Sequence, residues 1–366
     1  MAGESLHAKR VQSVTNAVVG VVNAVSLSIH AIGAGLAQTS GLNTKHAIKQ
    51  VDRLLSNPGF NVWTLFAHWV PYVVAATQEI VVALDWTDFD ADGHSTIALY
   101  LVTAHGRATP LVWMTVPKAK LKGRRNRYED TVLLRLHEVV PPGVKVTILA
   151  DRGFGDQGLY AFLTDLGFDF IIRFRGVVTA ESRAGEVRTA SAWVAATGKP
   201  RQLKDARVTA DRHPVDSVVC VKARGMKDAW CLAVGGGTRT GATVMKLYAR
   251  RFTIEESVRD TKDPRYGLGL SATHVHDVRR RDRLLLICAM AMTLLTLLGA
   301  AGESLGMDRM LKANTVKTRT HSLFRQGCHY YAAIPAMKQA LLDPLVQRFG
   351  EYVLRQSVYV HAFSLK

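Results

Sequence analysis

The sequence predicts a mixed α/β (α+β) fold, and two observations support this prediction. From residue 79 onwards, short segments rich in β-branched residues, such as 79–89 and 144–150, are interrupted by segments with apolar residues at helical spacing. The predicted order of elements is β-β-β-α-β-α-β. Because three antiparallel strands followed by alternating helices and strands is the order of a ribonuclease-H-like core, we expect that core here.

Length and composition indicate a folded protein with a central α/β region and helical flanks. The chain has 366 residues, of which 48% are hydrophobic and 21% charged, a balance typical of globular proteins. We predict a helical region at 1–77, an α/β domain at 78–301 and a helical region at 302–366. The polar, strand-like segment 176–235 is predicted to be a β-rich insertion into the α/β domain.

The charge balance indicates the class of partner. Lysine and arginine number 47 against 30 aspartate and glutamate residues, which gives a net charge of +17. Such an excess attracts polyanions, either nucleic acid or an acidic membrane surface. None of the four cysteines lies in a C-x-x-C pair, which argues against a metal–thiolate site and fits a reducing compartment.

The first 77 residues are predicted to form amphipathic helices. Valines recur at helical spacing between 11 and 25, and polar residues interrupt the apolar run, which favours a helix over a signal peptide. A further helix is predicted at 44–55, where Asn43 or Thr44 can cap the start. Three of its cations share one face: Lys45, Lys49 and Arg53. This face either contacts DNA phosphates or is an ordinary solvated surface, and both interpretations stay open.

The elements of the central region follow in order. Strands are predicted at 79–89, 95–106, 107–116, 144–154 and 169–175, and helices at 128–140, 157–168 and 241–262. A cation-rich segment with six lysine or arginine residues precedes the first of these helices, from Lys118 to Arg127.

Two aspartates are predicted to lie side by side. Asp85 is predicted to end the first strand and Asp151 the fourth, and these strands are neighbours in a ribonuclease-H-like sheet. Carboxylates that converge in this way can hold divalent metal ions for phosphodiester cleavage. Asp88 and Asp90 compete with Asp85, whereas Asp156 falls where the next helix begins and is interpreted as its N-cap.

The predicted helix 241–262 supplies a third acid. At about 100° per residue, one stripe carries Glu255 among four other side chains, which are Tyr248, Arg251, Arg259 and Lys262. Glu256 points about 100° away and is the weaker candidate. The stripe suits one metal-binding carboxylate among phosphate-binding cations, but a solvated face with salt bridges remains the alternative.

The apolar run 284–301 is long enough to raise the question of a membrane span. It contains threonines and ends in glycine and alanine, and three arginines at 279–281 precede it. We therefore predict a buried core helix at this place and no membrane association.

Several motifs resemble a known family. "YARRFTIEESVRDTK" fits the pattern Tyr-x2-Arg-x3-Glu-x6-Lys at Tyr248, Arg251, Glu255 and Lys262, and resembles the signature of DDE transposases of bacterial insertion-sequence family four. "LDWT" at 84–87 is similar to the family's first-Asp motif, and "LADRGF" at 149–154 to its second. "PRYGLGL" at 264–270 is also similar. The resemblance spans roughly 45–335.

The resemblance implies a ribonuclease-H-like transposase whose metal ligands are Asp85, Asp151 and Glu255. Two Mg²⁺ ions, with Mn²⁺ as a substitute, would be the cofactors. In relatives, excision runs through a hairpin at the transposon end, and a flipped base stacks on a tryptophan in the insertion. Trp230 lies near that position, with plain strand packing as the alternative, and Trp193 is a poorer candidate because it is farther from the helix.

The implied partner is double-stranded DNA, both the terminal inverted repeats and the target. Phosphate contacts are expected from Tyr248, Arg251 and Lys262 by the resemblance, with Arg259 on the same stripe, and from the cation-rich segment, including Lys120, Lys122, Arg124 and Arg125. We expect a homodimer by family analogy, and a cytoplasmic, nucleoid-associated protein. Two rivals remain, a non-catalytic DNA-binding descendant and a nuclease of the same fold without strand transfer.

Overall fold

The computed structural model describes residues 8–75, 77–103, 105–265 and 267–354. Parts of the predicted flanking regions, 1–7 and 355–366, lie outside the described residues, as does Tyr266 of "PRYGLGL". The described helices are α1 (Ala8–Ala24), α2 (Ile29–Ser40), α3 (Thr44–Ser56), α4 (Val62–Val74), α5 (Arg125–Val139), α6 (Gln157–Asp165), α7 (Gly241–Ala249), α8 (Thr253–Lys262), α9 (Val278–Ser304), α10 (Leu323–Ala333) and α11 (Gln339–Leu354).

The described strands form one ten-stranded sheet. They are β1 (Glu79–Phe89), β2 (His94–Val102), β3 (Ala108–Pro117), β4 (Lys145–Ala150), β5 (Asp169–Phe174), β6 (Thr179–Glu181), β7 (Val187–Thr189), β8 (Arg201–Val208), β9 (His213–Val221) and β10 (Trp230–Gly235). Their order in the sheet is β3-β2-β1-β4-β5-β10-β9-β8-β6-β7. The predicted antiparallel β1–β2–β3 unit and the parallel β1–β4–β5 unit are both present, and the mixed α/β fold is confirmed.

The strands between 176 and 235 continue the main sheet. β10 pairs antiparallel with β5, and β9 pairs with β10 on its other side. The hydrogen-bond ladder therefore runs without interruption from the β1–β5 strands into this region. The strand-rich character predicted for 176–235 is present, but these strands do not form a sheet of their own.

The N-terminal helices differ from the prediction in one respect. The valine-rich segment forms α1, with Val14, Val18 and Val21 buried, but the helix ends at Ala24 and the chain turns by 97° into α2. α3 is present as predicted, and the Asn43 side chain caps it by accepting a hydrogen bond from the Lys45 backbone N–H. Its apolar face is buried against the other helices, so its cations lie on the outer side.

The prediction of one continuous helix at 241–262 is wrong. The α-helical pattern is broken by a 3-10 turn at Arg250–Phe252, so two shorter helices, α7 and α8, take the place of one long helix. The Thr253 hydroxyl donates a hydrogen bond to the Arg250 carbonyl at the break, and Arg250 itself reaches the Val102 carbonyl of β2.

The long apolar helix α9 lies in the interior. Within the described residues it is the one helix long and apolar enough to cross a membrane, and the bent pair α1–α2 would also qualify if counted as one span. In α9, 78% of the most apolar 18-residue stretch is buried inside the protein. α10 packs against it so closely that a Cβ on Gly299 or Gly327 would lie within 2 Å of a carbonyl oxygen of the other helix.

The arginines at the start of α9 bind other elements of the protein. Arg280 pairs with Asp52 on α3, and Arg283 donates hydrogen bonds to the carbonyl oxygens of Leu55 and Phe60 at 2.7 and 2.8 Å. Arg281 is fully buried and pairs with Asp92, which lies between β1 and β2. These contacts fix α3 to the strands of the central sheet.

Candidate active site

The register of the sheet brings Asp85 and Asp151 together. β1 and β4 are parallel neighbours, and their pairing ends at Leu84 opposite Ala150. The next residue of each strand is an aspartate, so both carboxylates lie at the same level of the sheet. This placement depends on backbone pairing alone, and it brings the two predicted strand-end acids side by side.

Asp85 does not end its strand, contrary to the prediction. β1 continues to Phe89 because its pairing with β2 extends from Asp85 opposite Ala98 to Phe89 opposite His94. The rival acids on this extension are engaged elsewhere. Asp88 accepts a hydrogen bond from Ser95, and Lys118 pairs with both Asp88 and Asp90.

Asp151, which follows β4, and Asp156, which precedes α6, have different roles. Asp151 caps the short 3-10 turn Arg152–Phe154 and accepts a hydrogen bond from the Gly153 N–H at 2.7 Å. Asp156 caps α6 through the Gly158 N–H, as the sequence predicted. Asp151 keeps its second carboxylate oxygen directed to the site.

Arg251 lies at the centre of three carboxylates. Its Nη1 is 3.5 Å from Asp85 Oδ2, and its Nη2 is 3.6 Å from Asp151 Oδ2 and 4.0 Å from Glu255 Oε1. The three acids come from β1, the end of β4 and α8, so secondary structure far apart in sequence converges at one point. The guanidinium side chain is 8% exposed, whereas Glu255 is 60% exposed at the mouth of the site.

The electrostatics of this cluster are those of crowded carboxylates. Burial raises the pKa of the Asp85 carboxyl, and the charges of Asp151 and Glu255 raise it further, whereas Arg251 and the Trp86 N–H oppose the shift. The contacts of Arg251 are ion pairs without hydrogen-bond geometry, and its Nε and Nη1 atoms are buried without a hydrogen bond in the described part of the chain. The cluster gathers negative charge that one guanidinium balances incompletely.

The donor set fits a divalent cation. Carboxylate oxygens are the ligands that Mg²⁺ prefers, and three of them already surround one positive charge. Among the described residues, no group of three His, Cys, Asp or Glu side chains is preassembled as a metal site. The guanidinium stands between the carboxylates, so a metal would take over the place of Arg251 as their counter-charge.

The other charged residues of α8 point away from this cluster. Glu256 pairs with Arg259 and lies 3.7 Å from Arg107, as expected for a side chain on another face than Glu255. Lys262 donates a hydrogen bond to the Asp88 carbonyl at 2.7 Å and lies over the Phe89 ring. Burial lowers the pKa of the Lys262 ammonium. Arg251 and Glu255 of the predicted stripe therefore contact each other, whereas Arg259 and Lys262 have other partners.

Aromatic side chains flank Arg251 on the side of β10. Trp230 is half-buried, packs edge-on against Tyr248 at 5.0 Å and stacks on Phe252 at 6.0 Å. Tyr248 is buried, which raises its pKa. Trp193 is enclosed between Arg188 and Arg201 and is 1% exposed, so its ring offers no free face.

A basic cleft lies at the same edge of the sheet, on its opposite face. This groove has a volume of about 910 Å³ and is lined by Lys118 and residues 121–127, and we call it the basic cleft. Arg125 lies 5.1 Å over the ring of Trp86, whose indole N–H donates to Glu129 at 2.8 Å. Alternate residues of a strand point to opposite faces, so Asp85 faces α8 while Trp86 faces α5. Three predicted DNA-contact residues line this cleft and are exposed, namely Lys122, Arg124 and Arg125, and Lys120 is exposed beside it.

The predicted cations of α3 are also exposed. They are Lys45, Lys49 and Arg53. A cleft of about 380 Å³ between α1 and α3 adds Arg10 and His46 beside Arg53. Nothing in the sequence assigns these two residues, and only the packing of α1 on α3 shows that they share a groove.

Comparison with known families accords with this geometry. The chain matches the family model of the transposase DDE domain over residues 76–294. This match covers more than half of the chain and contains all three carboxylates, and the chain belongs to the DDE transposase family. A comparison with curated proteins found no match.

Proposed function

We propose that the protein is a cut-and-paste transposase whose metal ligands are Asp85, Asp151 and Glu255. The observation that carries the proposal is the convergence of these carboxylates on one cation, with contacts of 3.5, 3.6 and 4.0 Å. The acids come from a strand, a strand end and a helix of the family domain. Proteins of this family generally use divalent metals, and two Mg²⁺ ions, or Mn²⁺ in their place, are the proposed cofactors.

Two bound metal ions would supply an activated nucleophile and charge relief on the departing 3′ oxygen. The side chains determine where this happens. Asp85 and Asp151 are fixed by the β1–β4 register, and Glu255 closes the site from the solvent side. Water attacks the phosphorus at the transposon end, the bond to the 3′ oxygen breaks, and a free 3′-hydroxyl results. When a hairpin forms, that hydroxyl attacks a phosphodiester of the opposite strand and displaces the 3′ oxygen of the flanking DNA, and a second water then opens the hairpin and frees the 3′-hydroxyl again. The free 3′-hydroxyl finally attacks a phosphodiester of target DNA, and the 3′ oxygen of the target strand leaves as a hydroxyl.

Arg251 serves both states of the site in this proposal. It balances the three carboxylates in the DNA-free protein, and it binds a phosphate near the cleaved end when metal replaces it. Tyr248, Arg259 and Lys262 support the same DNA end, and Trp230 receives a flipped base. The half-buried Trp230 ring beside Phe252 supports this role, since it is placed within reach of the Arg251 region.

We propose that the DNA backbone binds to the basic cleft and to the outer face of α3. Both carry exposed cations at the surface of a chain with a net charge of +17. We further propose the helical regions 1–77 and 302–366 as flanks of a catalytic domain at 78–301, a homodimer in the synaptic complex, and membership of insertion-sequence family four through the Tyr-Arg-Glu-Lys motif.

The test uses DNA that carries the element's own end, incubated with Mg²⁺ and either the parent protein or Glu255→Gln. Cleavage by the parent and none by the variant is the expected result, and the gel also shows whether a hairpin forms. Joining of the cut end to a target plasmid separates a transposase from a nuclease. Binding without cleavage by the parent would refute catalysis and leave a DNA-binding protein.

A further inference from the structure

Arg107 connects the β2–β3 turn with the helix that carries Glu255. It directly precedes β3, and its Nε donates to Asp260 Oδ2 at 2.5 Å. Its Nη2 lies 3.7 Å from Glu256 Oε2, and its Nη1 donates to the Gly106 carbonyl at 2.9 Å. One guanidinium therefore contacts two acids of α8 and its own turn.

α8 depends on contacts with other elements because it is short. It is separated from α7 by the 3-10 turn at Arg250–Phe252, and it has only 10 residues. A helix this short gains most of its stability from packing. The side of α8 away from the carboxylates supplies that packing, through Ser257, whose hydroxyl oxygen accepts from the Ala108 N–H at 2.6 Å, and through Asp260.

Asp260 can hold α8 in place because its side chain is buried. Its side chain is 8% exposed and that of Arg107 is 18% exposed, so solvent screens their interaction little. The backbone of Asp260 is fixed as well, since its carbonyl accepts from the Leu268 N–H at 2.8 Å, and a Cβ on Gly267 would lie 2.3 Å from this oxygen. Movement of α8 would disrupt the ion pair and the following loop together.

Arg107 also contacts the neighbour of Glu255. Glu256 pairs with Arg107 and Arg259, whereas Glu255 lies on another face of the helix and pairs with Arg251. Without the guanidinium at position 107, Glu256 would lose one of its two cations, and α8 would keep only the Ser257–Ala108 hydrogen bond to the start of β3. The position of Glu255 at the carboxylate cluster would then be less tightly determined.

We propose that Arg107 is a positioning residue, which holds α8 through Asp260 and Glu256 and so places Glu255 for metal binding. The inference rests on the proposed role of Glu255 as a metal ligand. Arg107 does not touch the reacting atoms. It acts through the helix, much as residues behind metal ligands set ligand geometry and change metal affinity by about 10- to 100-fold.

The test measures Mn²⁺ binding by calorimetry on the full chain without DNA, for the parent, Arg107→Ala and Glu255→Gln. Arg107→Ala is expected to weaken Mn²⁺ binding about 10-fold or more. It should also lower kcat for end cleavage and leave KM for DNA unchanged. Arg107→Lys, which keeps the charge, should restore most of the loss. Arg183→Ala is the matched control, since it removes an exposed Arg–Asp pair away from the site.

The outcomes separate this inference from the proposed function. If Glu255→Gln weakens Mn²⁺ binding and Arg107→Ala binds like the parent, positioning by Arg107 is refuted and the site assignment stands. If Glu255→Gln itself binds like the parent, the site assignment fails. Asp260→Asn keeps the side-chain shape and breaks the same ion pair, so it carries the test if melting shows that Arg107→Ala is unfolded. Parent-like Mn²⁺ binding by folded Asp260→Asn would also refute the inference.

Discussion

Replacement of Arg251 by alanine should tighten metal binding while it impairs DNA cleavage. In the DNA-free protein the guanidinium is the counter-charge of Asp85, Asp151 and Glu255, so a metal must displace it. The alanine variant removes this competitor and leaves three carboxylates that repel one another. The same variant loses the proposed phosphate contact, so its cleavage of transposon ends should fall.

The size of the effect follows from the contact geometry. At 4 Å and an effective dielectric constant of about 20, a pair of unit charges gains about 4 kcal/mol, which is an upper bound because desolvation opposes it. The Arg251 contacts are 3.5, 3.6 and 4.0 Å long and are not hydrogen bonds, so we take a value of about 1.5 kcal/mol, well below this bound. About 1.5 kcal/mol corresponds to a roughly tenfold tighter Kd for Mn²⁺.

The assay is Mn²⁺ calorimetry without DNA at pH 8, because alkaline pH opposes protonation of Asp85, whose carboxyl pKa burial raises. Arg250→Ala is the matched control, because this neighbouring arginine reaches the Val102 carbonyl and not the carboxylates. Its Kd for Mn²⁺ should equal that of the parent. Unchanged or weaker binding by Arg251→Ala would refute competition, and would mean that the guanidinium supports the ligands.

Two further predictions concern the surface and the interior. Replacement of Lys122 and Arg124 in the basic cleft by alanine should weaken binding to any DNA sequence. The slope of log K against log salt concentration should fall by about 1–2, since each lost phosphate contact contributes about 0.9. Arg348→Ala on α11 is the control, and an unchanged slope would show that the DNA does not lie in the basic cleft. Burial raises the pKa of Asp282 to about 7. Because this pKa is raised in the folded state, the free energy of unfolding of the parent falls as pH rises from about 4 to about 7. Asp282→Asn cannot ionise, so it should gain stability over the parent across this window. The gain is at most roughly 4 kcal/mol, an upper bound because the residue is only partly shielded from solvent. Urea unfolding at pH 4.5 and pH 8 measures the difference, and an equal effect of the variant at both values would contradict it.

Much of the central sheet could be predicted because its signals are local. The alternation of apolar residues in 79–89 and 144–150 fixed the strands, and the order of elements fixed which strands are neighbours. The meeting of Asp85 and Asp151 follows from these two facts. The continuation of β1 to Phe89 was missed because it depends on pairing with β2, which no property of 85–89 alone reveals.

The surroundings of Glu255 were less predictable because they depend on tertiary contacts. Residues 250–252 have ordinary helix propensities, so nothing in the sequence indicates the break between α7 and α8. Arg107 lies in a turn 148 positions before Glu255, and its contact with Asp260 is visible only in the fold. The sequence also offered no sign that Arg280 pairs with Asp52 and Arg281 with Asp92.

The arginines at the start of α9 have a consequence for the position at which DNA would be cleaved. Arg280 and Arg283 bind the end of α3, while the adjacent Arg281 binds Asp92 in the turn that follows the strand carrying Asp85. The outer face of α3 and the carboxylates are thus held on one rigid frame. We therefore expect a fixed spacing between the DNA contact on α3 and the cleavage site. DNA that lies along α3 would always place the same phosphate at the carboxylates, because the three arginines set the distance between them.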